Sequence, residues 1–218
     1  SQAIDRETIV KNVFNGARIP ASGFVSPIVD GYKEGACGDA CVYDPEAAKA
    51  SLEAAGGYDG ILTIASNMDG GHKEWIDATC VSITNAIGVQ CQGKPYVDFS
   101  TYLTDRNGFK MDGPFRAGWQ MDYPSIENFL APIYGTGGGS NDTSYSNPKF
   151  DAKLDEAAAA TNPDEANKLY QEAEAMLAED LPGFPMWSYA VTAGWSDRVT
   201  DVKITPFGLL DLESVKVK

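Results

Sequence analysis

Hydrophobic and polar residues in the first half of the chain follow helical spacing in three places and run together in two others. Three helices are predicted from capping residues and apolar periodicity: about 5–15, 44–57 and 72–87. Two short apolar runs between or after them are typical of buried strands: 61–65 and 89–92. Strands and helices therefore alternate along this half.

The second half continues the alternation with longer helices. Helices are predicted at about 96–103, 125–133, 148–160 and 163–180. Strands are predicted at 115–119, 184–193 and 202–204. A stretch rich in Gly, Ser and Asn, 135–147, predicts a surface loop. The pattern indicates an α/β fold with a mixed sheet flanked by helices. Because neither a repeat nor a linker interrupts it, we expect one domain over residues 1–218.

Composition narrows the function classes. The chain has 17 Lys and Arg against 31 Asp and Glu, a formal charge of −14. Nucleic-acid binding and docking on anionic lipid need a basic surface, so neither is expected. No apolar run approaches the roughly 20 residues of a membrane span. The abrupt opening, without a signal-like segment, predicts a piece of a longer protein.

The four cysteines form two local pairs, Cys37 with Cys41 and Cys80 with Cys91. An even count at short spacing predicts two disulfides and an oxidising compartment. A zinc site is the alternative interpretation, but it requires two Cys-x-x-Cys-like pairs or nearby histidines, and the only histidine is His72. A buried free thiol is a further alternative for Cys80, which lies on an apolar helix face.

Signatures of catalysis are absent from the sequence. There is no Gly-x-Ser-x-Gly elbow, the only histidine is His72, and the glycine-rich run 135–140 lacks the lysine of a phosphate-binding loop. We therefore expect a protein that is not an enzyme and needs no cofactor. A secreted hydrolase that uses clustered carboxylates is the alternative that remains open.

Residues 116–128 carry the clearest ligand-binding chemistry. Arg116, Gly118, Trp119 and Asp122 crowd the end of a predicted strand. The backbone of such a strand can pair with the backbone of an extended ligand, and the carboxylate of Asp122 can hold a cationic amine. This arrangement suits a zwitterionic ligand.

Five segments in order resemble one protein family. They read Ala-Ile-Asp-Arg, Tyr-Asp-Pro-Glu, Gly-Trp-Gln-Met-Asp-Tyr, Asn-Pro-Lys-Phe-Asp and Pro-Gly-Phe-Pro-Met-Trp, at positions 3–6, 43–46, 118–123, 147–151 and 182–187. They are similar to segments of the peptide/nickel (oligopeptide-binding) family of solute-binding proteins, which serve ABC importers. Each segment is weak alone, but five in family order over nearly the whole chain are specific.

The resemblance implies a type II periplasmic-binding-protein-like fold of cluster C. Family members are longer and close two lobes over the ligand, and this chain resembles their C-terminal lobe. The implied protein is a monomer that binds a peptide or other small solute and delivers it to the membrane subunits of an ABC permease. It is extracytoplasmic, either periplasmic or a cell-surface lipoprotein. The ligand could equally be a nickel complex, a sugar or an opine.

Two roles follow residue by residue from the matched motif. Asp122 stands where family members pair with the α-amino group of a peptide, although a turn or helix-cap role is the alternative. Gly118 and Gln120 stand where the backbone pairs with peptide backbone, and a bulge is the alternative for Gly118. Trp119, which faces the other way, is expected to be partly core and partly pocket wall.

The resemblance also nominates two groups for the ligand's carboxylate. Arg116 is similar to an arginine that takes this group, which a guanidinium can bind through two donors. A surface salt bridge is its alternative. His72 matches a histidine that meets the C-termini of longer peptides at a helix start, where an anion is favoured. An ordinary surface histidine is the alternative there.

Overall fold

A computed structural model describes residues 1–218. Seven α-helices form: α1 Arg6–Phe14, α2 Pro45–Ala54, α3 Lys73–Ile87, α4 Phe99–Asn107, α5 Glu127–Tyr134, α6 Pro148–Ala159 and α7 Pro163–Asp180. Six short strands accompany them: β1 Arg18–Pro20, β2 Ile61–Asn67, β3 Gln90–Tyr96, β4 Trp187–Tyr189, β5 Val199–Thr200 and β6 Lys216–Val217. None of the helices combines the length and apolar character that a bilayer crossing requires.

Helix starts follow the capping residues that the sequence presents. The side chain of Asp5 accepts from the backbone N–H of Thr8 at the start of α1, and Asp44 caps α2 in the same way. Asn147 and Asn162 cap α6 and α7, each followed by a proline at the first helical position. Such caps satisfy N–H groups that lack a partner inside the helix, so the predicted helix starts are confirmed within a few residues.

The sheet is divided into three two-stranded parts. Strands β2 and β3 pair in parallel, which requires a long crossover connection between them. Helix α3 forms that connection. Strand β1 pairs with β4 and β5 with β6, both antiparallel. A single parallel bridge between Ala65 and Phe115 adds a third chain segment beside β2.

Two hydrophobic clusters hold the molecule together. The larger one packs α5, α6 and α7 around side chains such as Ile126, Leu130 and Phe150. The smaller one packs α1 and α3 against β2 and β3, with Trp75 and Ile76 at its centre. The candidate residues 116–122 lie between Phe115, which bridges to β2, and Ile126 of the larger cluster.

Both predicted disulfides are formed, Cys37 with Cys41 and Cys80 with Cys91. The second disulfide links α3 to β3: Cys80 is buried in the smaller cluster, and Cys91 packs against it. No group of residues suited to a metal ion is present, and no cysteine is free. The zinc and free-thiol alternatives therefore do not apply to these four residues.

Several strand predictions are wrong in extent. The predicted strand 115–119 shrinks to the bridge at Phe115, because its later residues have no neighbouring chain with which to pair. The predicted segment 184–193 pairs only over β4. The predicted strand 202–204 is reduced to a single bridge at Ile204, and the final strands are β5 and β6 on either side of it. Helix α4 begins at Phe99, since residue 96 belongs to β3. The predicted helix at 125 begins at Glu127.

Candidate functional site

Residues 117–121 form an open backbone segment, which we call the free edge. The chain before it is fixed to β2: the N–H of Ala65 donates to the carbonyl of Pro114 at 2.9 Å, and the N–H of Arg116 donates to the carbonyl of Ala65 at 2.8 Å. No backbone N–H or C=O of residues 117–121 has a hydrogen-bond partner in the protein. The free edge therefore exposes a row of donors and acceptors that a ligand could pair with.

The exposure of the free edge alternates from Gly118 to Met121, as in a strand. Gly118 and Gln120 are exposed, whereas Met121 is buried in the larger cluster and Trp119 packs against it half-buried. This alternation leaves the outward side almost without side-chain bulk at Gly118. A ligand backbone could approach closely there.

Arg116 lies over Gly118. A Cβ atom on Gly118 would stand 3.1 Å from Nη2 of Arg116, so the absence of a side chain makes room for the guanidinium. Arg116 forms no ion pair, in contrast to the salt-bridge alternative. Its carbonyl accepts from the hydroxyl of Tyr102. Burial raises the pKa of Tyr102 to about 12, so this hydroxyl keeps its proton and remains a donor.

The side chain of Asn128 fixes the far end of the free edge. Its Oδ1 accepts from the backbone N–H of Asp122 at 2.8 Å and from Nε1 of Trp119 at 3.2 Å. Its Nδ2 donates to Oδ2 of Asp122 at 3.4 Å. The Asn128 side chain is buried, while the Asp122 carboxylate is exposed. Asp122 thus faces solvent in a fixed orientation, beside the free edge.

Gln120 makes a long-range contact. Its Nε2 donates to the carbonyl of Phe207 at 2.7 Å, which joins the free edge to a loop far along the chain. The side chain of Phe207 packs against the larger cluster. Gln120 is therefore held through its side chain, while its backbone groups stay unpaired.

His72 is placed differently from either expectation. It is buried at the start of α3, and its Nδ1 accepts from Nε1 of Trp75 at 3.1 Å. Burial lowers the pKa of His72, the charge of Arg116 lowers it further, and the carboxylate of Asp69 opposes both. The surface alternative is therefore wrong. The ring is held neutral and fixed by Trp75, so it offers little to a ligand's carboxylate.

The start of α3 nevertheless has anion-binding character. The N–H groups of Lys73, Glu74 and Trp75 have no acceptor, and no side chain caps the helix. Nearby Asn67 is buried, with Nδ2 donating to Asp69 at 2.6 Å and Oδ1 without a partner. Unpaired N–H groups and the helix dipole favour negative charge at such a position. Arg116 adds to this, since its charge reaches His72.

The structure thus groups the residues singled out from the sequence into two neighbouring parts. Arg116, Gly118, Trp119, Gln120 and Asp122 lie along one continuous segment, with a cation at one end and a carboxylate at the other. His72 is buried at the start of α3, within reach of the charge of Arg116. Asn128, which sequence reasoning missed, interrupts the apolar stripe of α5 with a single buried polar side chain. That interruption was the available signal.

Comparison with known proteins gives a consistent picture of the fold. The structure of the Escherichia coli murein tripeptide binding protein MppA superposes with a TM-score of 0.83 at 22% identity, covering 100% of this chain and 43% of that chain. Burkholderia pseudomallei OppA gives a TM-score of 0.82 at 20% identity over 100% of this chain and 44% of that one. The predicted periplasmic-binding-protein-like fold of type II is confirmed.

Curated relatives are similar in sequence over most of the chain. Heme-binding protein A of Haemophilus influenzae is 30% identical over 216 residues, which is 94% of this chain and 38% of that protein. Oligopeptide-binding protein OppA of Bacillus subtilis is 26% identical over 198 residues, 87% of this chain and 36% of that protein. The chain therefore spans well under half the length of these relatives.

The family model described as bacterial extracellular solute-binding proteins, family 5 Middle, matches residues 1–141, which include the free edge, Asp122 and Asn128. Agreement of this match with the superpositions and with the order of the sequence motifs is sufficient for assignment: the chain belongs to family 5 of the bacterial extracellular solute-binding proteins.

Proposed function

We propose that this chain forms one wall of the ligand cleft in an extracytoplasmic solute-binding protein of an ABC importer. The observation that carries the proposal is the free edge, whose backbone groups are all unpaired while its two ends are fixed. The ligand class that such an edge suits best is a short peptide or a similar extended solute.

The chemistry of the two ends supports a zwitterionic ligand. Asp122 is exposed and oriented by Asn128, so it can accept hydrogen bonds from an α-ammonium group. The ligand's carboxylate is favoured by Arg116, which forms no ion pair, and by the uncapped N-terminus of α3. Backbone pairing along Gly118 and Gln120 would align the ligand between these charges. Trp119 would form part of the pocket wall.

In this proposal the protein binds and releases without catalysis, and it works as a monomer with no resident cofactor. The chain acts as the C-terminal lobe of a two-lobe protein. A ligand that contacts both lobes stabilises their closed arrangement, which the permease subunits recognise. Two disulfides fit a periplasmic or cell-surface location, including anchoring as a lipoprotein. Named relatives bind oligopeptides, di- and tripeptides, and glutathione, which supports a peptide-like ligand.

Two alternatives have less support. The named relatives are binding proteins, so they give no support to a carboxylate-dependent hydrolase. One relative is named for heme, but the only histidine of this chain is buried and bonded to Trp75, which disfavours axial ligation of heme iron by His72. A nickel complex, a sugar or an opine lacks a specific observation in its favour.

Nuclear magnetic resonance titration of the ¹⁵N-labelled chain with trialanine tests the proposal, because chemical shifts report millimolar binding. One wall supplies only part of the contacts, so we expect weak binding with shifts centred on residues 117–122. N-acetylated trialanine, which lacks the ammonium, should bind about tenfold more weakly to the wild-type chain. Asp122→Asn should remove that difference, whereas Asp112→Asn, at an exposed position before the free edge, should leave it.

Either of two results would contradict the proposal. Shifts at millimolar trialanine that avoid residues 117–122 would place the ligand elsewhere. Micromolar affinity for the chain alone would show that it is a complete site rather than one wall of a cleft.

A further inference from the structure

A short hairpin near the end of the chain meets the free edge. The N–H of Asp211 donates to the carbonyl of Lys203 at 2.9 Å, and the N–H of Thr205 donates to the carbonyl of Leu209 at 2.7 Å. Ile204 and Leu210 form the bridge between its two arms. We call residues 203–211 the C-terminal hairpin. Its tip lies at Phe207 and Gly208.

The tip of the C-terminal hairpin is held on two sides. The Phe207 carbonyl accepts the hydrogen bond from Gln120, and the Phe207 side chain packs against the larger cluster. Gly208 has a φ of +74°, and a Cβ atom there would stand 3.1 Å from Cγ2 of Val191. The tip therefore cannot shift freely without breaking contacts with the rest of the fold.

The free edge has few anchors of its own. Since its backbone groups are unpaired, it is fixed by the bonds of Ala65 before it, by Asn128 after it and by the buried side chain of Met121. On the exposed side, Gln120 makes the single hydrogen bond that ties the free edge to another part of the chain. An unpaired segment loses conformational entropy when a ligand orders it, which weakens binding unless the segment is already ordered.

We propose that Gln120 is a positioning residue and that the C-terminal hairpin is a brace which holds the free edge ready for its ligand. This inference rests on the proposed function for its ligand, but the brace itself is a property of the chain alone. The role of Gln120 is thereby divided: its backbone faces the ligand and its side chain holds the brace.

The brace also connects the ligand site to a second surface. Ile204, Gly208 and Leu210 of the C-terminal hairpin line an apolar groove of about 400 Å³, together with Val191 and Trp195. A ligand that immobilises the free edge therefore steadies the hairpin and one wall of the groove. By reciprocity, ordering of the groove strengthens ligand binding at the free edge.

Amide exchange of the whole chain tests the brace without a ligand. In Gln120→Ala we expect the amides of Thr205 and Asp211 and the indole N–H of Trp119 to exchange about fivefold faster than in the wild type. Gln120→Glu, which has the same size but no donor when ionised, should behave like the Ala variant. Gln120→Lys, which regains a donor, should restore slow exchange. A matched control is Gln171→Ala, which removes a hydrogen bond of the same kind outside the free edge and the C-terminal hairpin: Nε2 of Gln171 donates to the carbonyl of Gly31 at 2.6 Å.

The trialanine titration then separates positioning from stability. We expect Gln120→Ala to weaken binding about fivefold while the melting temperature and the preference for a free ammonium stay as in the wild type. The brace would be overturned if the Trp119 indole and the hairpin amides of Gln120→Ala exchanged at the wild-type rates. It would also be overturned if Gln120→Ala and the wild type bound trialanine with equal affinity. If the exchange results hold but the wild-type chain binds no trialanine, the brace stands and the proposed ligand fails.

Discussion

Replacement of Asn128 by alanine is the sharpest test of how the candidate site is built. In the native structure one atom, Oδ1 of Asn128, accepts from both the indole of Trp119 and the backbone N–H of Asp122. Alanine removes this acceptor and leaves two donors without a partner. It also leaves a small cavity beside the larger cluster, because the Asn128 side chain is buried.

The expected cost follows from these contacts. A buried donor without an acceptor costs roughly 1–3 kcal/mol. Both donors here are only partly buried, so water can satisfy them in part. We therefore expect Asn128→Ala to lower the free energy of unfolding by about 2–3 kcal/mol. For a chain of this length that corresponds to a melting temperature lower by roughly 5–10 °C.

Urea unfolding followed by circular dichroism measures this loss, and indole exchange shows whether Trp119 is released. Asn107→Ala is the matched control, since Asn107 is exposed at the end of α4 and its side chain makes no hydrogen bond. That control should change stability by no more than about 0.5 kcal/mol. A loss below about 1 kcal/mol in Asn128→Ala, or an unchanged Trp119 indole, would refute the assignment of Asn128 as organiser.

Asn128→Asp refines the test through its pH dependence. This variant keeps the acceptor Oδ1 but sets a second carboxylate against that of Asp122, where Nδ2 of Asn128 normally donates at 3.4 Å. Two carboxylates so close cannot both ionise without cost. We expect the variant to approach wild-type stability near pH 4 and to lose stability as the pH rises to 7. A pH-independent loss would contradict the proposed geometry.

Three further predictions address neighbouring features. Gly118→Ala should change the free energy of unfolding by less than about 1 kcal/mol, because Gly118 lies outside the left-handed region, yet it should weaken trialanine binding by displacing Arg116. Burial raises the pKa of Glu174, so the folded state keeps this proton to higher pH than the unfolded state, and the wild type loses stability as the pH rises through that pKa. The stability of Glu174→Gln relative to the wild type should therefore increase from pH 4 to pH 7, which urea unfolding at several pH values would measure. Double replacement of Cys80 and Cys91 by serine should cost about 3 kcal/mol in calorimetry, since their disulfide closes a loop between residues 11 apart.

Helices could be predicted from the sequence because their determinants are local. Asp5 and Asn162 each lie next to the turn that they cap, and α7 follows its periodic apolar positions from the first residue to the last. The motif order also led to the right family and fold. In each case the information lies within a few residues along the chain.

Strands are harder to predict from the sequence, because a strand forms only where another segment pairs with it. The segment 115–119 is a short apolar run that ends at a turn, as a strand does, but only Phe115 finds a neighbour in Ala65. Strand β1 was missed for the converse reason. Its three residues carry no strand pattern, and they pair because β4 lies beside them. Alternation tells which face of a segment is buried but not which chain lies at its edge.

Within the candidate site, sequence reasoning found the charged ends but not the groups that hold them. Arg116 and Asp122 could be named because their chemistry suits a zwitterion. The burial of His72 depends on Trp75, three residues later and therefore on the same helix face, which was a usable signal. The bond from Gln120 to Phe207 spans 87 residues, and no local pattern predicts it.

Open backbone alone does not mark a ligand site, and this chain contains the comparison that shows why. Residues 191–195 are exposed and their backbone groups are also unpaired, but their large side chains are Val191 and Trp195, which favour contact with apolar surface. The free edge instead lies between Arg116 and Asp122, with almost no side chain at Gly118. A short zwitterion can satisfy opposite charges and unpaired amides together, whereas an apolar surface would leave both charges without partners. The position of the charges, more than the lack of backbone pairing, therefore distinguishes the free edge as the place for a peptide.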